Sequence, residues 1–350
     1  ADWSNNIQFN VDNKYKDIEF GSGISIYETS LVIGASKYGN LTTFSDERQG
    51  YDGLVVFWNQ NNSNIWNETT RIVGTNGEQL GHDVALYQQW SAVAAPFYTY
   101  GTAISSGAVY MYRYTNQKWA ATQKIISSQP DSNLEFGSSL AMFGDFLVIG
   151  EPYASDGLPN SGAMYIYQNI NSVWTLDSRL KSTDYGSSDR FGSVVDIYQS
   201  GNRYYALGSS YFHQTQKGAV YLFSRYDNTW NPLQKFMPPG LKTSIDLVAS
   251  FGDNFGRAIA INGENVWCSA PNRNTNGIIF EFTENLPAPD QSLLTSDYLR
   301  SQILTQNTIV RQYSNRESYS GTVPNNYYLN RSMTTDTLLG NEGLSFLNNK

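Results

Sequence analysis

The stretch Phe136–Pro152 reads FGSSLAMFGDFLVIGEP, and four other stretches of the 350-residue chain follow the same plan. Each copy begins with an apolar residue and a Gly, and reaches a second small residue after 14 positions, or after 17 in the fourth copy. The opening pairs are Phe20-Gly21, Leu80-Gly81, Phe136-Gly137, Phe191-Gly192 and Phe255-Gly256. Successive openings lie 60, 56, 55 and 64 residues apart. A period of this length indicates an array of repeated structural units.

Every copy continues into a third segment that starts with Gly and alternates with period two, as in GAMYIY, which indicates a strand. These segments start at Gly53, Gly107, Gly162, Gly218 and Gly277. In the first four copies a Trp follows that Gly after 12 or 13 residues and opens a fourth, weaker strand. The four residues are Trp66, Trp119, Trp174 and Trp230. Four strands in each unit predict the blades of a β-propeller.

The fifth copy has no such Trp before its end near Asn285, and the N-terminus offers the missing strand. Trp3 precedes Phe20 by 17 residues, the spacing that also separates Trp119 from Phe136. Residues 1–19 are therefore predicted to supply the fourth strand of the last unit, and this closure would protect the sheet edges. The sequence predicts an all-β, five-bladed β-propeller over residues 1–285, closed by its N-terminal strand.

The FG openings and the GEP, AAP and SAP clusters resemble the FG-GAP repeat of integrin-α-type β-propellers. The resemblance is closer to the metal-free variant found in many microbial and viral surface proteins. Integrin-type blades commonly carry a D-x-D-x-D-G calcium loop between their first two strands, whereas the corresponding turns here lack the several oxygen ligands that Ca²⁺ needs. No blade metal and no cofactor are therefore expected. Asp46, Glu47 and Asp52 are interpreted as a solvated loop rather than a cation site.

Composition excludes several classes of function. The chain has 23 basic and 31 acidic residues, a formal net charge of −8, and no Lys/Arg cluster, which argues against nucleic-acid binding. Its single cysteine, Cys268, cannot form an internal disulfide, and its alternating position predicts a small buried residue. No apolar run approaches the length of a membrane span. The first residue, Ala1, fits either loss of an initiator Met or cleavage of a leader.

Catalysis has few candidate residues. With two His and one Cys, a nucleophile–base arrangement is not expected, and His82 is interpreted as a loop-edge residue. The main enzymatic hypothesis is a glycosidase that uses Asp83 and Asp196 as its carboxyl pair, because both are predicted on axis-lining first strands. The alternative is that each Asp hydrogen-bonds backbone groups.

Aromatic residues recur in the loops that follow the second strands, so they are predicted to share one face of the propeller. The ligand-face candidates are Tyr38, Phe97, Tyr98, Tyr100, Tyr153, Tyr211, Phe212 and His213. A rim rich in Tyr and poor in charge suits contact with a protein or a glycan. The alternative is that these rings pack against neighbouring loops.

The repeat stops after Pro289, and residues 286–350 are rich in Asn, Ser, Thr and Tyr. The interval 291–313 is predicted to be partly helical, with Leu294, Tyr298, Leu299, Ile303 and Val310 inward. A segment of this composition becomes ordered by lying on its own propeller or on another subunit. Residues 286–350 are therefore predicted to be a C-terminal docking arm with a possible assembly partner.

These observations predict a non-catalytic recognition or adhesion propeller on the exterior of a cell or particle. One alternative is a structural subunit of a virion, tail or surface filament, anchored by residues 286–350. The other is a glycan-active hydrolase that uses Asp83 and Asp196.

Overall fold

The computed structural model describes residues 7–11, 18–39, 50–238, 252–263, 265–273, 277–284 and 308–314. Within these ranges the chain is almost entirely β-structure, with twenty strands and one four-residue helix, α1 (His213–Gln216). The strands form five antiparallel four-stranded sheets, and in each sheet the strands lie side by side in chain order. The all-β prediction is confirmed.

The strand bounds follow the sequence repeat. The first sheet contains β1 (Phe20–Tyr27), β2 (Ser30–Ala35), β3 (Leu54–Gln60) and β4 (Trp66–Val73). The second contains β5 (Val84–Tyr87), β6 (Trp90–Ala95), β7 (Ala108–Thr115) and β8 (Lys118–Ile126). The third contains β9 (Leu140–Phe143), β10 (Phe146–Glu151), β11 (Ala163–Ile170) and β12 (Val173–Leu180). The fourth contains β13 (Val195–Ser200), β14 (Arg203–Ser210), β15 (Ala219–Tyr226) and β16 (Thr229–Phe236). The fifth contains β17 (Ile259–Asn262), β18 (Asn265–Ala270), β19 (Ile278–Glu284) and β20 (Thr308–Ser314).

The first strands of consecutive sheets contact each other in series, from β1 through β5, β9 and β13 to β17. This places the first strand of each sheet on the inside of the array and the fourth strand on the outside. The second strands β2, β6 and β10 are buried along their whole length, whereas most residues of the fourth strands β4 and β8 are half-buried or exposed. The arrangement is that of a β-propeller.

The apolar-Gly pair that opens each repeat joins two sheets. Phe136 N–H donates to the Ser106 carbonyl of the second sheet at 3.1 Å, and Gly137 N–H donates to the Gly150 carbonyl of the third sheet at 2.9 Å. Gly137 has φ 95°, a conformation that favours glycine. The junctions at Leu80-Gly81, Phe191-Gly192 and Phe255-Gly256 repeat both bonds. The pair that is most regular in the sequence therefore sets how one sheet meets the next.

Aromatic rings fill the space between neighbouring sheets. Trp119 stacks on Phe57 of the preceding sheet with ring centroids 4.9 Å apart, and Trp174 meets Trp90 edge to face at 5.7 Å. Phe136 is fully buried and lies 5.2 Å from the Tyr165 ring. These contacts between sheets bury large apolar area, which is the main favourable contribution to folding.

The prediction that the N-terminal strand closes the last unit is wrong. The free edge of β19 is occupied by β20, which pairs Ile278 with Ser314 and continues to Glu284 with Thr308. The described part of the N-terminal segment, residues 7–11 and 18–19, forms no strand. Its Phe9 ring packs 5.4 Å from Trp58 and 5.9 Å from Trp66 on the first sheet.

The helical prediction for 291–313 is wrong over residues 308–313, where the β-branched run Thr308, Ile309 and Val310 fits a strand better than a helix. Residues 291–307 and 315–350 lie outside the described residues. The division of the chain at residue 285 and the docking role of 286–350 stay predictions, although β20 shows that part of this extension pairs with the chain's own sheet.

Cys268 is fully buried in β18, as its alternating position predicted. Burial raises the pKa of its thiol well above the usual value. Among the described residues, no helix is long and apolar enough to cross a membrane.

We expect Gly192→Ala to lower the free energy of unfolding by about 3 kcal/mol or more. A Cβ at this position would lie 2.2 Å from the Ala163 carbonyl oxygen of the preceding sheet, on a backbone with φ 84°. Gly157→Ala is the matched control, because Gly157 has φ 88° but nothing within 4 Å of the added Cβ. The control should lose only about 1 to 2 kcal/mol, the cost of a left-handed alanine. Equal losses in urea unfolding would contradict the junction geometry.

Candidate functional site

The two ends of the sheets carry different connections. In the second sheet, two-residue turns at 88–89 and 116–117 close one end, while loops 96–107 and 127–139 leave the other. Because the strands are antiparallel, each loop between the second and third strands leaves on the same side as the connection to the next sheet. We call this end the loop face and the opposite end the turn face. Long irregular segments that carry polar and aromatic side chains are typical sites of binding.

Three of the predicted aromatic residues meet in one row on the loop face. The Arg190 guanidinium carbon lies 4.7 Å from the Tyr153 ring centroid and 4.1 Å from that of Phe212. Phe212 lies against Tyr211 with ring centroids 4.6 Å apart, and Arg257 covers Tyr211 at 4.8 Å. These five residues, which we call the aromatic–arginine row, connect loops of the third, fourth and fifth sheets. Sequence reasoning found the three rings but not the two arginines.

The other predicted aromatics have different surroundings. Tyr38 packs against the core of the first sheet. Tyr98 meets Tyr110 edge to face at 6.5 Å, and Lys124 lies 4.3 Å above its ring. Phe97 is half-buried, whereas the side chain of Tyr100 is exposed. The structure therefore places all of these rings in loop-face loops but joins only those of the third and fourth sheets.

His213 lies beneath the loop face rather than on it. The residue is buried, and its Nδ1 is 2.7 Å from Asp189 Oδ2. Its Nε2 is 3.0 Å from Lys235 Nζ. Lys235 also donates to Asp184 Oδ2 at 2.6 Å. Burial alone would raise the pKa of Asp184, but hydrogen bonds from Lys235 and Tyr221 hold it below its usual value. This histidine belongs to a paired charge cluster that supports the loops above it.

Three sheets repeat a polar arrangement that sequence reasoning missed. In each, a tyrosine three residues after the third-strand Gly donates its hydroxyl to a carboxylate, and a Lys or Arg faces that tyrosine from the fourth strand. The three acid–tyrosine sets are Glu78, Tyr110 and Lys124; Glu151, Tyr165 and Arg179; and Asp184, Tyr221 and Lys235. The tyrosine at this fixed offset was the available sequence signal, since GAVY, GAMY and GAVY recur in the three units.

A cavity of about 470 Å³ opens between the loops of the second and third sheets. It is lined by residues of the intervals 129–134 and 151–160 and by Arg179. Glu151 lies in its wall, 1% exposed, and accepts a hydrogen bond from the Tyr165 hydroxyl at 2.8 Å. Arg179 donates to the same hydroxyl at 2.9 Å and pairs with Asp156.

Burial raises the pKa of Glu151 to about 7, against the opposing influence of the Ser127 and Tyr165 hydroxyls and the Arg179 charge. Its second oxygen, Oε1, is also buried.

Asp83 and Asp196, the predicted glycosidase pair, hydrogen-bond backbone groups of two sheets. Asp83 Oδ1 accepts from its neighbour Val84 N–H at 2.8 Å, and Oδ2 accepts from Leu140 N–H of the next sheet at 2.7 Å. Asp196 repeats this pattern with Ile197 N–H and Ile261 N–H, both at 2.8 Å.

Serine hydroxyls occupy the corresponding junctions of the other sheets. Ser25 accepts from Leu86 N–H at 3.0 Å, and Ser139 accepts from Val195 N–H at 3.0 Å. Because Ser and Asp share this position, the geometry supports a structural clamp between inner strands.

Burial raises the pKa of Asp83 to about 6 and that of Asp196 to about 7, although their backbone hydrogen bonds act in the opposite direction. No group of three or more His, Cys, Asp or Glu side chains arranged to hold a metal ion occurs in the part of the chain that the structure describes. Asp46 and Glu47 lie outside that part.

The clamp carboxyls are desolvated in the folded state, which makes stability fall as pH rises. A folded-state pKa of about 7 for Asp196, above the ordinary value, means that its contribution is complete below about pH 4 and is lost as pH rises through about 7. We expect Asp196→Asn to reduce the slope of the free energy of unfolding against pH by about 1 kcal/mol per pH unit. Urea unfolding across this range measures the effect, with Asp227→Asn in an exposed turn as the control. An unchanged slope in Asp196→Asn would contradict desolvation of this carboxyl in the clamp.

Comparison with known proteins identifies one repeat directly. Residues 119–167, from β8 to β11, match the family model described as FG-GAP repeat. No curated protein matches the chain. Among solved structures, the periplasmic gluconolactonase PpgL of Pseudomonas aeruginosa is similar, with a TM-score of 0.39 and 10% identity over 76% of this chain and 81% of that chain. The chain therefore carries the FG-GAP repeat, as its sequence predicts, within an all-β fold of the β-propeller type.

Proposed function

We propose that the chain is a five-bladed, non-catalytic recognition propeller that binds a protein or glycan through its loop face on the exterior of a cell or particle. The observation that carries the proposal is the aromatic–arginine row. It spans loops of three sheets and lies on the loop face.

Five blades are supported by five sheets, five apolar-Gly openings and the serial contact of the inner strands from β1 to β17. In this proposal β17 of the fifth sheet closes the ring against β1 of the first. The fifth blade is completed by β20 rather than by the N-terminus.

The side chains of the aromatic–arginine row are of the types that favour binding of a partner. Arg190 is held between Tyr153 and Phe212, so its guanidinium is positioned before any partner arrives. Arginine and aromatic residues are enriched at binding interfaces, and rigid rings lose little conformational entropy on binding. Arg190 and Arg257 also place two positive charges on a chain whose formal net charge is −8. A partner with acidic, hydroxyl or carbonyl groups would complement this surface.

The proposal that the chain is not an enzyme is supported by the contacts of the two carboxyls predicted to be catalytic. Both oxygens of Asp83 and of Asp196 accept backbone N–H groups. A glycosidase needs one carboxyl free to protonate the leaving group and another to attack or to activate water. The alternative of a structural subunit anchored by residues 286–350 stays a prediction.

We expect Arg190→Ala to weaken binding to the chain's ligand by about tenfold or more, because it removes the group that links two rings at the centre of the row. The labelled chain would be applied to arrayed glycans and to intact cells, and bound signal measured across a concentration series. Arg203→Ala is the matched control, since Arg203 lies 4.9 Å over the Tyr226 ring on the turn face. The control should bind like the unmodified chain.

Two outcomes would contradict the proposal. One is equal loss of binding in Arg190→Ala and Arg203→Ala, which would indicate that the loop face has no special role. The other is turnover of an arrayed glycan by the unmodified chain, which would show that the propeller is an enzyme.

A further inference from the structure

We infer that the aromatic–arginine row binds an acidic glycan, whose carboxylate or sulfate groups pair with Arg190 and Arg257. This inference rests on the proposed function, because it names the ligand class of the same row. It depends on which charged side chains of the loop face already have a partner of opposite charge.

Arg190 and Arg257 have no carboxylate partner among the residues that the structure describes. Their contacts are with aromatic rings. The guanidinium carbon of Arg190 lies 4.1 Å from the Phe212 ring centroid, and that of Arg257 lies 4.8 Å from the Tyr211 ring centroid. Stacking orients the plane of a guanidinium but leaves its terminal N–H groups as donors. Both arginines are therefore positioned to bind an anion.

The acidic side chains of the neighbouring loops are already paired. In the described loop-face segments of the third, fourth and fifth sheets, every Asp lies within 4 Å of a basic or histidine side chain. These residues are Asp156, Asp184, Asp189 and Asp253. Arg190 and Arg257 are left without a neutralising group there, although the formal net charge of the chain is −8. An anionic ligand is therefore attracted to the row and repelled by most of the remaining surface.

The spacing of the two charges along the row favours an oligosaccharide. Phe212 and Tyr211, with ring centroids 4.6 Å apart, connect Arg190 to Arg257. A guanidinium can bind a carboxylate or sulfate through two parallel N–H groups, and an aromatic ring presents an apolar surface to the C–H face of a sugar. An oligosaccharide with acidic groups on separate sugar units offers both kinds of contact along one chain.

An acidic peptide fits the row less well. An extended peptide commonly gains affinity from main-chain hydrogen bonds to a free strand edge. All five residues of the row lie outside the strands, since β10 ends at Glu151, β14 ends at Ser210 and β17 begins at Ile259. The row thus offers side chains rather than a strand edge, and this favours a glycan.

The test measures the affinity of the full chain for a heparin hexasaccharide and for hexagalacturonate by isothermal titration calorimetry. Maltohexaose is the neutral probe, and hexaglutamate is the acidic peptide probe. We expect at least one acidic oligosaccharide to bind with submillimolar affinity and at least tenfold more tightly than either maltohexaose or hexaglutamate. Raising NaCl from about 50 to about 500 mM should weaken this binding several-fold, because salt screens charge pairs at an accessible surface.

Arg257→Gln should weaken binding of the acidic oligosaccharide about tenfold, because it removes one of the two charges at an exposed position. Arg203→Gln is the matched control. Arg203 also stacks on a ring, 4.9 Å from the Tyr226 centroid, but it lies on the turn face. The control should leave the affinity unchanged, and thermal unfolding of both variants checks that they are folded.

Three outcomes would overturn the inference. They are equal binding of acidic and neutral oligosaccharides, tighter binding of hexaglutamate than of both acidic oligosaccharides, and equal effects of Arg257→Gln and Arg203→Gln.

Failure of the inference is distinguishable from failure of the proposed function. If acidic and neutral oligosaccharides bind equally while Arg190→Ala weakens binding to arrayed ligands, the inference fails and the recognition proposal stands. If the unmodified chain binds an acidic oligosaccharide through Arg257 and also cleaves it, the ligand class is correct and the proposal of a non-catalytic propeller fails.

Discussion

The two backbone hydrogen bonds of the apolar-Gly pair are the constraint on which the rest of the molecule depends. One N–H, from the apolar residue, reaches the preceding sheet, and the next N–H, from Gly, reaches its own sheet. Their positions require close approach of two backbones. A Cβ on Gly150 would lie 1.9 Å from the Gly192 carbonyl oxygen, and one on Gly34 would lie 1.8 Å from that of Gly81. Glycine at these places lets the two backbones approach this closely, and the aromatic side chains then fill the space further out.

The repeated junction also determines at which end of the sheets a binding site can form. Since each sheet enters and leaves its neighbour at the same end, the long connections of the first four sheets reach the loop face and their short turns reach the turn face. Strands that are buried along their whole length, such as β6 and β10, then hold the side chains of different loops in fixed relative positions. The aromatic–arginine row and the Glu151 cavity both use this arrangement, because each is assembled from loops of neighbouring sheets on a rigid support.

The fold was predictable because its determinants are local and periodic. Phe136-Gly137, Gly162 and Trp174 recur at nearly constant offsets, and each marks a strand or junction that the structure places within one or two residues. The identity of the last strand was not predictable in the same way. Trp3 has the correct spacing before Phe20, but pairing with β19 is decided by long-range competition, and 308–314 occupies that edge.

The candidate site was only partly predictable. Tyr153, Tyr211 and Phe212 could be assigned to one face from topology alone, but the sequence distance between Arg190 and Tyr153 carries no sign that they stack. Glu151 belongs to the GEP cluster that marks the repeat, so its sequence context indicated structure rather than a site. Its hydrogen bond with Tyr165 and its place in the cavity wall depend on three-dimensional geometry.

The central claim is that ligands bind at the loop face. Hydrogen–deuterium exchange of the full chain, with and without the arrayed glycan or protein that gives the strongest signal, tests it most directly. The account predicts slower exchange in the intervals 129–134, 151–160 and 188–213, and no change in the turns at 116–117 and 171–172. Protection centred on those turns, or binding that protects neither end, would contradict it.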